Sequence, residues 1–102
     1  MIRFEWNPAK ARANKRKHGV SFEIARRVFD DPDAFADHDR IEGGERRWQT
    51  LGMVDSVLLL LVAHTVELDG PDDETIRIIS ARRADAKERQ RYEKERQKNR
   101  EW

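Results

Sequence analysis

Cysteine is absent from the 102 residues, which excludes disulfides, thiolate nucleophiles and cysteine-based zinc sites. Long apolar runs are missing too. The longest, Val57 to Ala63, is far too short to cross a bilayer as a helix. Met1 to Trp6 lack the apolar stretch of a secretory leader, so a cytoplasmic location with no membrane partner is expected. There is no glycine-rich loop to cradle a phosphate and no H-E-x-x-H pair. The acids Asp30, Asp31, Asp33, Asp37 and Asp39 lack the alternation and closing glutamate of a calcium loop, and they read as a solvated turn. No metal and no other cofactor is expected.

What is present is mostly charge. Hydrophobic residues make up 37% of the chain and charged residues 40%, polar enough to raise the question of disorder. The apolar residues gather in a few dense runs, however. One small domain spanning residues 1–102, without repeat or linker, accounts for them. The net charge of +1 conceals an asymmetry: residues 1–21 carry +5, residues 82–102 carry +4 and the middle carries −8. If the basic ends meet in the fold they form a surface that attracts phosphate. If they do not, they are two solvated helices.

Ile2 to Trp6 alternates apolar and polar, the period of a half-buried strand. Asn7-Pro8 supplies an N-cap and a first-turn proline, Ala9 and Ala13 are expected to face the core, and Gly19 suits a left-handed helix end. Ser21 caps a second helix whose Phe22, Ala25, Val28 and Phe29 make an apolar stripe. Asp33 to Asp37 is a short strand candidate around Phe35, and His38 to Gly44 reads as a polar loop. Arg47 to Val54 and Val57 to Val66 read as strands joined by a tight Asp55-Ser56 turn. Glu67 to Glu74 reads as a loop, Thr75 to Arg82 as the last strand, and Ala84 onward as a charged helix anchored by Ala86 and Tyr92. A charged helical extension begins at about residue 95. Grouped strands flanked by helices predict an α+β fold with an antiparallel sheet.

Three features suit chemistry. His64 ends the most apolar strand, where its imidazole is either a proton carrier or a ring bonded to the backbone. Arg47, Arg77 and Arg82 lie on strands, where a guanidinium must reach water or an anion. Arg77 and Arg82 are five apart, so a regular strand points them to opposite faces. Arg77 is suited equally to an ion pair with Glu45 or Glu67. Tyr92 follows Arg82-Arg83 by about two helical turns and serves either a phosphate or ribose, or simply as an anchor.

Longer strings are more specific. Phe4-Glu5-Trp6, Lys17-His18-Gly19-Val20-Ser21-Phe22-Glu23, Val28-Phe29-Asp30-Asp31-Pro32, Glu45-Arg46-Arg47-Trp48, Ile76-Arg77-Ile78-Ile79-Ser80-Ala81-Arg82-Arg83-Ala84 and Tyr92-Glu93 occur in this order. With these strings the chain resembles the BrnT family, toxins of bacterial type II toxin–antitoxin pairs. The acidic loop Glu67 to Glu74 and the tail past Glu95 depart from the family pattern. The resemblance implies a RelE-like fold, with a twisted antiparallel sheet, two N-terminal helices and one C-terminal helix. It implies a ribonuclease that inhibits translation, and a BrnA-like antitoxin, in a heterotetramer of two toxins and two antitoxins, through which alone operator DNA is contacted. Arg47, Arg77, Arg82 and Tyr92 occupy matching places and are the expected catalytic residues, and the side-chain chemistry adds His64 as the base if it faces the site and Lys17 and Arg83 as RNA-binding residues. The expected chemistry is metal-free attack of a ribose 2′-OH, leaving a 2′,3′-cyclic phosphate. Two other functions fit the composition: a non-catalytic nucleic-acid or ribosome-binding module, and a protein-interaction subunit.

Overall fold

The structure is a computed structural model that describes residues 1–100, apart from the side chain of Asp39. Strand β1 (Ile2–Glu5) leads into helix α1 (Pro8–His18), a short helix α2 (Phe22–Ala25) and a 3-10 turn (Arg26–Asp30). Strands β2 (Phe35–Glu42), β3 (Glu45–Val54), β4 (Leu58–Leu68) and β5 (Glu74–Arg83) follow, then helix α3 (Ala86–Lys98). The sheet order is β1-β5-β4-β3-β2. The β2 to β5 strands are antiparallel neighbours, whereas β1 runs parallel to β5. The sheet is therefore mixed, which corrects the expected antiparallel one. The crossover through α1 and α2 returns the chain to the far edge, and this separates β1 from its sequence neighbours.

Local chemistry sets the ends of these elements. Asn7 accepts from the Ala9 and Lys10 amides, and Gly19 closes α1 at φ 72°. Ser21 accepts from the Ile24 amide. Asp85 and Glu88 form a reciprocal capping box on α3. Asp55 and Ser56 both take positive φ, 54° and 60°, as a two-residue hairpin turn demands.

The sheet divides the core in two. On one face Val20, Phe22, Ala25 and Val28 pack on Val54, Leu60, Val62, Ile76 and Ile78. Gly52 lets the 3-10 turn approach closely, since a β-carbon there would meet Val28 Cβ at 2.8 Å. On the other face a smaller cluster joins Leu51, Leu59 and Tyr92, with Phe35, Met53, Leu61 and Ala84 around it. Helix α1 packs on the larger cluster through Ala11, and α3 packs on the smaller one through Tyr92.

Several expectations change. Ala9 and Ala13 are exposed, and α1 docks instead through Ala11 and a buried Asn14. The Asn14 side chain donates to the Val20 and Ala81 carbonyls and accepts from the Ala81 amide. It stands where a longer β1 would have paired with β5. The polar stretch from His38 is strand as far as Glu42, because β2 pairs along most of β3. Ala86 is exposed, and Ala84 takes its place as the small anchor beside Tyr92. The acids at 31 and 33 are not a solvated turn. Asp31 accepts from the Met53 and Asp33 amides and from the Tyr92 hydroxyl, and Asp33 pairs with Arg96 and Arg100.

Candidate functional site

Cross-strand register arranges one sheet face in rows. Phe35, Leu51, Leu61 and Arg82 form a row that α3 overlies. Asp37, Gln49, Ala63 and Ser80 form the next. Beyond it Arg40 pairs with Arg47, and Thr65 pairs with Arg77. A bulge makes this possible. Ala63 faces Ser80 while His64 faces Ile78, so β5 carries one extra residue. Arg82 opposes Leu61 and Arg77 opposes Thr65, and those two β4 residues share a face. Arg77 and Arg82 therefore share it too, although they are five residues apart.

The three strand arginines differ in how far they are occupied. Arg82 makes a forked pair with Glu88, both bonds 2.9 Å, and a further bond to the Arg83 carbonyl. That pair raises the Arg82 pKa and lowers the Glu88 pKa, in each case chiefly through the hydrogen bond between them. Arg77 donates to Glu45 at 2.6 Å, one of the two partners its sequence allowed. Arg47 is different. Its side chain is 22% exposed, and its nearest carboxylates, Glu42 and Glu45, lie 3.6 and 4.0 Å away. Its Nε, like that of Arg96 under α3, is buried with no hydrogen-bond partner. Arg47 lines a pocket of about 350 Å³ with Lys10, Arg40, Glu42, Gln49, Ala63, Ile79 and Ser80.

The other expected site residues lie elsewhere. His64 faces the opposite side, 3% exposed, with its Nε2 2.7 Å from the Thr50 hydroxyl and its ring edge-on to Phe29. Burial lowers its pKa, and a hydrogen bond to the Thr65 carbonyl opposes this only in part, so the ring is held neutral. It cannot reach the Arg47 face, because the sheet lies between them. Tyr92 is 2% exposed, and its hydroxyl donates to Asp31 at 2.7 Å. Burial, then that carboxylate, push the phenol well above its ordinary pKa. Tyr92 opens on a different pocket, lined by Asp31, Asp33, Arg27 and Arg96, which shares no residue with the Arg47 pocket. Arg83 shares an apolar groove with Lys15 and Val57. Lys17 is exposed in the last turn of α1, where a cation interacts favourably with the negative end of the helix dipole, and it lines neither pocket.

The structure thus brings Arg47 and Arg77 together through Glu45, and places Arg82 at the border of their row. It leaves His64, Tyr92, Lys17 and Arg83 outside. Sequence reasoning missed Lys10, Gln49 and Ser80. Gln49 was legible, since it lies two residues from Arg47 on one strand; Lys10 was not, because it reaches the pocket only through the crossover. Among the described residues no three His, Asp or Glu side chains gather to hold a metal ion, and no described helix is long and apolar enough to cross a membrane.

Comparison with known proteins agrees with the strings noted above. No curated protein matches the chain. A solved structure, the 1.1 Å crystal structure of the Brucella abortus ribonuclease toxin BrnT, superposes with a TM-score of 0.62 at 18% identity, covering 83% of this chain and 99% of that one. That likeness shows a shared α+β fold. The family model described as "Ribonuclease toxin, BrnT, of type II toxin-antitoxin system" matches residues 6–88, a span that starts just after β1 and holds α1 to β5 and the capping box of α3. The chain therefore belongs to the BrnT family of ribonuclease toxins of type II toxin–antitoxin systems.

Proposed function

We propose that the protein is a single RelE-like toxin domain, a metal-independent endoribonuclease whose RNA backbone lies across the open half of the Arg47 face. The observation that carries this reading is the Arg47 guanidinium. A largely buried cation with an unfilled Nε–H is costly. A phosphate offers the oxygens that would fill its donors in forked geometry. Lys10 at the rim adds sequence-independent attraction for the backbone.

The chemistry follows from that placement. The ribose 2′-oxygen attacks the adjacent phosphorus, and the bond to the 5′-oxygen breaks. The products are a 2′,3′-cyclic phosphate and a 5′-OH end. Arg47 stabilises the charge that gathers on the phosphorane-like transition state, the type of preorganised electrostatics that dominates many enzymes. Arg77 and Arg82 contribute from places held by carboxylates. In the cytoplasm such cleavage inhibits translation. A BrnA-like antitoxin neutralises the toxin in a complex of two copies of each and carries all contact with operator DNA.

Purified protein incubated with labelled single-stranded RNA, with and without EDTA, tests the reading. Cleavage that survives EDTA and leaves cyclic phosphate ends is the expected result. Binding without cleavage would instead support a module that blocks translation by occupancy.

A further inference from the structure

We propose that Glu45 is the general base of the cleavage reaction, and that Arg77 is its positioning residue. The proposal deepens the ribonuclease reading and rests on it. A 2′-OH must lose its proton as it attacks phosphorus, and the imidazole expected for this task is sealed on the other side of the sheet. The tyrosine is equally remote, with its hydroxyl spent on Asp31. The proton acceptor must therefore come from the Arg47 face itself.

Two carboxylates on that face approach Arg47. Glu42 lies 3.4 Å from the Arg40 Nε and 3.6 Å from the Arg47 Nε, so it sits between two cations at the end of β2. Glu45 opens β3, and its Oε1 is 2.6 Å from an Arg77 terminal nitrogen and 4.0 Å from one of Arg47. Arg77 comes from β5, across the central strand β4, and the β5 bulge aims it at this face. Glu45 is thus held firmly from one side and loosely from the other. A phosphate seated on Arg47 would place its neighbouring ribose beside a carboxylate oxygen already fixed by Arg77. The 4.0 Å gap, too long for a hydrogen bond, leaves the Arg47 donors to the substrate.

The step balances. Glu45 takes the 2′-OH proton, the 2′-oxygen bonds to phosphorus and the P–O5′ bond breaks. The 5′-oxygen takes a proton from solvent water, and Glu45 returns its own to solvent. No oxidant, metal or protein nucleophile enters.

Glu45→Gln tests this, because an amide oxygen still accepts from Arg77 but no longer takes a proton. Two probes are used: a labelled single-stranded oligoribonucleotide, and a uridine 3′-phosphate ester with a nitrophenyl leaving group. The latter needs no proton on departure. Glu45→Gln should lower kcat about 10²–10⁴-fold on both probes. Affinity for a 2′-deoxy oligonucleotide and thermal unfolding should stay near wild type. A kcat within about fivefold of wild type overturns the assignment. So does a loss on RNA that vanishes with the nitrophenyl ester, since Glu45 would then serve the leaving group. The same holds for a full loss in Glu42→Gln with Glu45→Gln active. Wild-type protein that cleaves neither probe removes the ribonuclease reading itself, whereas active wild type beside active Glu45→Gln removes only the base.

Discussion

The two halves of one sheet face hold their arginines differently. Under α3, apolar side chains pack against the sheet and Tyr92 is bonded to Asp31 and Arg82 to Glu88, while the Arg96 Nε, 3.7 Å from Asp33, stays unfilled. Two rows away, Arg47 stands with an unfilled Nε–H beside an open pocket. Both halves use arginines and acids, drawn from β5, α3 and the turn before β2 in one half and from β2 and β3 in the other. The difference lies in distance: forked bonds of 2.9 Å on Arg82 against 3.6 and 4.0 Å on Arg47. Pairs at bonding distance anchor an element, whereas a cation left short of its partners is available to a ligand. Arg47 answers to that description on the open half and Arg96 on the half under α3, so the proposed phosphate site at Arg47 rests also on its company of Lys10, Gln49 and Ser80.

Substitution of the two arginines should break the symmetry of the motif most visibly. Arg47→Ala should lower RNA cleavage about 10²–10³-fold, the cost of losing one preorganised donor. The unfolding midpoint should hold or rise, because an underfilled buried cation is removed. Arg82→Ala should do the reverse: a smaller loss of rate, with a loss of stability of about 1 kcal/mol at most for a half-exposed pair. Parallel rate assays and thermal melts check both.

Within the covered half, Tyr92→Phe should cost about 1.5–3 kcal/mol, since it removes a bond to a charged carboxylate, while the rate of the folded protein stays unchanged. Denaturant titration measures the first and single-turnover cleavage the second. A large loss of rate in a folded Tyr92→Phe protein would move the site to the other end of the sheet.

His64 gives the smallest effect, visible only against pH. Its folded pKa lies below the ordinary 6.5 because burial disfavours the charged ring. The unfolded chain therefore binds the proton more readily than the folded one, and stability falls as pH drops below about 6.5 towards the folded pKa. His64→Asn should flatten that part of the stability curve and leave the pH profile of cleavage in place. Stability curves of both proteins between pH 5 and 8 show it.

Much of the architecture was legible from the chain. Asn7-Pro8, Gly19 and Ser21 mark helix ends by capping chemistry that acts within a few residues, and Asp55-Ser56 marks its hairpin in the same way. Non-local features were not legible. The parallel pairing of β1 depends on where a crossover lands, and the burial of Asn14 rather than Ala13 depends on an unpaired stretch of β5. The site divides along the same line. Arg47 and the Arg77–Glu45 pair could be named from residue type. A five-residue spacing argued against Arg77 and Arg82 sharing a face, and the bulge that reconciles them is written in the register of two strands. Tyr92 and His64 carry chemically capable groups, so only their burial shows that they serve the core.

The central claim is that phosphate binds at Arg47, and the Nε–H resonances of the arginines report on it directly. Nitrogen-15-labelled protein is titrated with a 2′-deoxy dinucleotide, which binds but lacks the attacking hydroxyl. The Arg47 Nε–H signal should shift saturably, its neighbour Gln49 should follow, and Arg96 at the Tyr92 end should stay still. Saturable shifts at Arg96 and Arg100 with an unmoved Arg47 would contradict the account.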